Sequence, residues 1–435
     1  MRRTIRGLLM LAVMTFGLVF AGTALAGNKT VCASGCGYSS IQAAINAASS
    51  GATITIASGT YVENVVVNKP LTLQGQGPST VIEPALSNPV CSPGSLCGGA
   101  ASNIILVQAD NVTITKLKLE GDNPALTSGV LRNGKDLDAR NGIITNHLLG
   151  TYNNLTVSKV TIADVYLRGL YASSEGTFNF SHDTVENVEG SEESIAIFNF
   201  GGSGVVSHSK VSKANDAISA NWSRGTQFVD NKVSESGSGI HTDNNGGFGG
   251  MADLIQGNKI SACPVNGYGI FVFAPYVSAT VSNNNVTGCS VGLAAYGSQV
   301  SGQGPTFSGN RVDGTGATST EPGGTYGAYL TTDLLGYGFG DLTVTMTGNK
   351  VEHYGTGVYV TQSDPSPSQP AGGQATVSAS NNTIQSNTAG AKGQPGTVVN
   401  AQNNWWGCKS GPNAGGSCES VTGTVAYTPW LAVRP

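Results

Sequence analysis

The stretch "SGSGIHTDNNGG" at 236–247 sets His241 and Asp243 two residues apart behind a Gly-Ile step. In an extended segment residues i and i+2 point to one side, so both side chains share a face. An imidazole beside a carboxylate can move protons on a glycan. Asp216 and Asn221, one repeat earlier, join them as candidate catalytic residues. A glycosidase places two carboxylates about the scissile bond. A lyase needs instead a base and a cation to neutralise a uronate, and Arg168 and Arg224 are the cations at hand. The competing reading is a hydrogen-bonded polar pair on an exterior strand. His182, His208 and Asp230 form a second set, each three residues before a recurring Val. Two imidazoles and a carboxylate are donors for a transition metal such as zinc or copper. Against this, stacked polar turn residues are common in repeat folds. At "HTDNN", Asp243, Asn244 and Asn245 offer oxygens to Ca2+, and the rest of the six it takes are not assigned by the sequence, which leaves this site open.

What must position these groups is a repeat. An N-x-[V/I] step recurs at Asn231, Asn258, Asn284, Asn310, Asn349 and Asn382, with weaker copies at Asp183 and Ser209. The intervals are 26, 22, 27, 26, 26, 39 and 33 residues, the long ones holding Gly/Pro/Ser/Thr-rich insertions at 314–325 and 364–374. An alternating apolar stretch precedes each step and a second short strand follows it, as in "AISAN", "GIHTD", "GIFVF" and "GLAAY". Short period-2 strands repeated at this interval mark a β-solenoid, in which stacked coils share one core. A propeller would need longer repeats with four strands each. Recurrent Asn at one turn position fits a ladder of side-chain amides. Cys263 and Cys289 each lie three residues after the repeat apolar residue, so the register sets them one strand spacing apart, about 4.8 Å, within disulfide reach.

The remaining cysteines fall into neighbouring couples, Cys32–Cys36, Cys91–Cys97 and Cys408–Cys418, which fits four disulfides in an oxidising compartment. A zinc reading lacks two CxxC pairs. Residues 1–26 read as a signal peptide: Arg2, Arg3 and Arg6, an apolar run from Leu8 to Gly22, and Ala24-Leu25-Ala26 before cleavage. The run is short for a retained anchor. The mature chain, 27–435, is then exported to the periplasm or outside, as one solenoid: cap and first coils at 27–100, repeat coils at 101–400, C-terminal cap at 401–435. A net charge of −4, with no Lys/Arg cluster along the chain, argues against nucleic acid as partner.

"YSSIQAAINAAS" has helical spacing behind Ser39 or Ser40 and reads as a helix plugging the first coil. The following "GATITIASGTYVENVVVNKPLTLQGQGPSTVI", the Asn-x-Val and Gly-Ile steps, and the terminal "NNWWGCKSGPNAGG" and "VAYTPWL" resemble right-handed parallel β-helix, pectin-lyase-like proteins. The resemblance covers nearly all of the mature chain and implies a right-handed parallel β-helix. It implies no particular chemistry, since that fold hosts lyases, hydrolases, esterases, epimerases and non-catalytic surface proteins. The catalytic motifs of methylesterases, polygalacturonases, Arg-rich lyases and alginate epimerases (Asp-Pro-His) are absent; "NDAISA" at Asn215 faintly echoes one polygalacturonase element.

Stacking the second strands predicts an outward stripe of Tyr171, Phe198, Asn221, His241 with Asp243, Phe271 with Phe273, Tyr296, Tyr329 and Tyr359, and Trp222 beside it. Exposed aromatic rings on a long face suit an extended sugar polymer, and insertions at 122–142, 314–325 and 364–374 would wall the groove. The alternative is an aromatic ladder stacked on itself. The expectation is therefore an exported protein that binds, and cleaves or epimerises, a uronate-type extracellular polysaccharide. A non-catalytic surface or adhesion module is the competing reading.

Overall fold

The computed structural model describes residues 27–244, 250–273, 277–297, 304–332, 340–362 and 373–435; the predicted signal peptide lies outside them. Each coil contributes one strand to each of three parallel sheets. Thr226–Val229 belongs to sheet A, Lys232–Ser234 to sheet B and Ser238–Asn244 to sheet C, and Leu254–Gln256, Lys259–Ser261 and Tyr268–Phe273 repeat them one coil on. Among the described residues the sheets hold 15, 12 and 13 strands. The chain is an all-β right-handed parallel β-helix.

Alternation explains the core. In sheet B, Val185, Val211, Val233, Ile260, Val286, Val312, Val351 and Ile384 pair in register and are at most 3% exposed. Each such side chain contributes roughly 1.5–3 kcal/mol by leaving water. Only one coil separates neighbours in this file, so no coil buries its inner face alone. The Gly-Ile step has a local cause. A Cβ on Gly239 would run into the Gly269 carbonyl and Ile260 Cγ2, so the corner between sheets B and C closes only on glycine.

The turn between sheets A and B is held by buried amides. Asn231 Nδ2 donates to Asn258 Oδ1 at 3.0 Å, and the chain of bonds continues through Asn284, Asn310, Asn349 and Asn382 to Asn404, each link 2.9 Å. Each of these amides also donates to a backbone carbonyl one coil back, as Asn231 does to Val206 and Asn258 to Phe228. The residue before the ladder position is left-handed: His182, His208, Asp230, Asn283, Asn381 and Asn403 have φ between 54 and 60, and Gly257, Gly309 and Gly348 do the same. Asn, Asp and His are the non-glycine residues that best tolerate this conformation.

The ends are closed. Helix Ile41–Ala47 buries Ile41, Ala44 and Ile45 against the first coil; Ser40 Oγ accepts from Ala43 N, and the Glu63 carboxylate accepts from Ile41 N and Gln42 N. At the other end the fully buried Trp406 sits near the Cys408–Cys418 bridge. Disulfides also join Cys32–Cys36, Cys91–Cys97 and, across adjacent coils at a Cα separation of 4.8 Å, Cys263–Cys289.

Asp183 occupies a ladder position with the wrong chemistry. Its Oδ1 accepts from Val160 N at 2.9 Å, while Oδ2, where the other coils carry an NH2, is buried without a partner. Burial pushes this carboxyl up to about 7, against backbone hydrogen bonds that lower it. The unfolded chain ionises Asp183 near pH ~4, so between pH ~4 and about 7 folding retains a proton that unfolding releases. Stability therefore falls as pH rises through that window and stays low above it. Asp183→Asn restores the donor; denaturant melts should show a gain of ~1–3 kcal/mol at pH 8 and a flatter profile from pH 4 to 7.

Candidate functional site on the outer face of sheet C

Pairing along sheet C sorts its outward side chains into rows. Tyr171, Phe198, Ser219, His241, Phe271, Ala294, Tyr329 and Tyr359 form one row. Asn221 and Tyr296 do not belong to it. The places expected for them hold Ser219 and Ala294, and both lie two residues further along, with Asn221 level with Phe200.

A β-bulge creates the most exposed part of this face. Ala220 pairs with Thr242 and Ser223 with Asn244, so Asn221 and Trp222 together oppose Asp243. The extra residue takes a left-handed conformation, Trp222 φ 55, which turns the indole out of the sheet. Trp222 is 51% exposed and stacks with Phe200, which is 42% exposed, at 6.4 Å. Behind the bulge, buried Asp253 accepts from Ser223 Oγ, Thr242 Oγ1 and Thr226 N, each at 2.6 Å. Thr151, Ser174, Glu175, Gly201 and Arg224 join the two rings around a cavity of about 410 Å³, where Arg224 Nη2 meets Glu175 Oε1 at 2.8 Å.

The candidate acid–base residues lie beside it. Trp222 N donates to Asp243 Oδ1, and His241 faces Asp216 with Nδ1 3.8 Å from Oδ2. Ser219 and Ser238 donate their hydroxyls to Asp216. Burial alone would raise Asp216, but His241 and the two serines outweigh it and hold the carboxyl below its usual range. Asp243 goes the other way: burial pushes it up to about 6, against the charge of His241 and the Trp222 amide. The His241 ring stacks on Phe271 at 4.1 Å, and its Nε2 is buried without a hydrogen bond. Asn221 shares no hydrogen bond with His241 or Asp243.

Several expectations are corrected. Tyr171, Phe198 and Tyr296 face outward but are only 6%, 5% and 4% exposed. Tyr171 and Phe198 stack at 4.7 Å in a cluster with Leu96, which comes from the disulfide-bearing segment before sheet C's strand 103–107. Tyr296 is packed among Tyr268, Phe271, Phe273, Tyr326 and Tyr329. Arg168 is buried, donates to the Glu193 carbonyl and lies 4.8 Å over the Phe198 ring; burial lowers its guanidinium to about 10. It does not reach a ligand on this face. Phe271, Phe273, Tyr329 and Tyr359 are half-buried and line the continuing face.

The metal sets fare differently. His182 and His208 stack with rings 4.9 Å apart and 5° from parallel, and His208 Nε2 is 3.7 Å from Asp230. Lone pairs of stacked parallel rings lie in parallel planes, so one ion cannot sit in both. All three residues hold the left-handed turn position, which explains their types without a metal. For Ca2+, Asp243 points outward whereas Asn244 is fully buried and donates to Met251 O, so the two offer oxygens to opposite sides; Asn245 lies outside the described residues. A group not singled out from sequence is Asp313, Glu352 and His353, with ligand atoms within 4.8 Å. Arg311 reaches Asp313 and Glu352 at 2.9 Å and Lys350 reaches Glu352 at 2.5 Å, so the carboxylates are already neutralised. Its signal was "RVD" and "KVE" at equivalent repeat positions.

Among solved structures, the chain is similar to the A-module of Azotobacter vinelandii mannuronan C-5 epimerase AlgE6, with 16% identity, TM-score 0.53 and 89% of this chain and 94% of that chain covered. The A-module of AlgE4 from the same organism gives 14% identity and TM-score 0.55, covering 82% and 94%. A double mutant of the periplasmic alginate epimerase AlgG gives 13% identity and TM-score 0.52, covering 85% and 77%. These likenesses concern the fold. No curated protein sequence matches the chain. The model of the right-handed beta helix region matches residues 141–312 and 216–406, more than half of the chain, which therefore belongs to that family.

Proposed function

We propose that this protein binds an extended acidic polysaccharide along sheet C and transfers protons on its uronate units at His241. The observation that carries the proposal is the bulge: it turns Trp222 outward beside Arg224, next to a His–Asp pair and a carboxyl that holds its proton to about 6. Indole and phenyl faces stack on sugar rings. Arg224, paired with Glu175 at the rim, exchanges that partner for a uronate carboxylate. The His241 ring turns off Phe271 to bring the buried Nε2 to the surface, where it takes the proton next to the carboxylate, and the electrons of that C–H bond move into the carboxyl group. Return of a proton from the opposite side inverts the carbon; expulsion of the neighbouring glycosidic oxygen cleaves the chain. Asp243 supplies the proton in either case, its surroundings raising it while those of Asp216 lower that carboxyl. Support also comes from the similar folds of mannuronan and alginate epimerases. Four disulfides suit an exported protein, and among the described residues no helix is long and apolar enough to cross a membrane.

A second reading, a non-catalytic surface or adhesion module, draws on the self-stacked rings: Tyr171 on Phe198, and Tyr326 on Tyr359 at 5.1 Å. Trp222→Ala should weaken binding of alginate or polygalacturonate about tenfold, roughly 1.4 kcal/mol, by titration calorimetry. His241→Ala should bind as before yet lose deuterium exchange at the uronate carbon and formation of unsaturated ends; unchanged turnover removes His241 from the mechanism. Wild-type binding with no exchange or cleavage at all favours the adhesion module. With Asp243 as donor, kcat/KM should fall as pH rises through about 6, and Asp243→Asn should abolish that limb; a profile unaltered by the substitution assigns the donor elsewhere.

A further inference from the structure

The outer face of sheet B carries a periodic array that the chemistry on sheet C does not use. Its strands read Lys-Val-Ser or close to it, with the middle residue inside and the flanking two outside. Lys210, Lys232 and Lys259 stand in register on three consecutive coils, and Ser212, Ser234 and Ser261 form a parallel row beside them. All three lysines are exposed, and among the described residues none of their ammonium groups has a hydrogen-bond or ion-pair partner. Elsewhere along the same row the charge is cancelled. Lys118 meets Glu120 at 2.7 Å, and Arg311 and Lys350 meet Asp313 and Glu352, because there the neighbouring row is acidic. In the central coils serine replaces the acid.

Like charges directly opposite one another across paired strands destabilise a sheet. Three in succession, about 4.8 Å apart along the axis, are relieved by a counter-charge of similar period. We propose that this Lys–Ser stripe is a second track for an acidic polysaccharide, lying along the solenoid axis on a face separate from sheet C. A polyuronate has one carboxylate per sugar for the lysines and hydroxyls for the serine row. A single-stranded nucleic acid would want aromatic platforms. The outward positions of these strands, 210–214, 232–234 and 259–261, offer none. The track performs no chemistry and does not depend on the reading of His241.

The test compares wild type, K210Q/K232Q/K259Q and W222A. Polygalacturonate should protect Lys210, Lys232 and Lys259 from acetylation, read by mass spectrometry, in both wild type and W222A, with the exposed Lys409 of the C-terminal cap unprotected. The triple variant should lose most of the salt dependence of polygalacturonate binding and about tenfold in affinity at low ionic strength, while its melting temperature stays level or rises. Protection absent from the three lysines, or an unchanged affinity and salt slope in the triple variant, overturns the proposal. Stronger protection by oligodeoxythymidylate than by polygalacturonate also overturns it, in favour of nucleic acid. Because W222A removes the sheet C contact alone, failure of either face is seen separately.

Discussion

A buried amide must find partners, and in this protein it finds them one coil above and one coil below. The column from Asn231 to Asn404 fixes the rise of the solenoid to the strand spacing and denies each coil any slip against the next. Any side chain that recurs once per coil thereby becomes a file. Inside, the file is aliphatic and makes the core. Outside sheet C it is aromatic, and outside sheet B it is basic. Three surfaces of different chemistry follow from one repeated bond.

The candidate site is where this regularity is broken. Between Ala220 and Ser223 one residue too many enters sheet C, and the surplus is what lifts an indole off an otherwise packed face. A bulge left to itself would slide. Asp253, buried and accepting three hydrogen bonds from both flanks of the distortion, pins it at this coil. The same pinning fixes the amide of Trp222 against Asp243, so the exposed ring and the hydrogen bond that partly offsets the burial of this carboxyl come from one local event.

Much of this was legible in the chain. The Asn-x-Val spacing located the coils, placed Val211, Val233, Ile260 and Val286 in one column, and set Cys263 beside Cys289. The outward face of sheet C was readable from alternation, but alternation counts residues and cannot see a bulge, so Asn221 was set two places from where it stands. Burial of Tyr171 and Phe198 was hidden for another reason. Their cover includes Leu96, which belongs to a segment whose path no local pattern encodes. The lysine file escaped notice because composition and runs measure charge along the chain, whereas Lys210, Lys232 and Lys259 are neighbours only through the stack.

The bridge between Cys263 and Cys289 also sets how the rod would respond to tension. Coils that touch only their neighbours peel away singly when an end is pulled. At this bridge the load passes through sulfur and skips the loop of chain between the two cysteines, a separation of 26 residues. That loop cannot lengthen the rod, however far the coils beyond it have unravelled, and it stores no slack between the pulled end and the rings around Trp222.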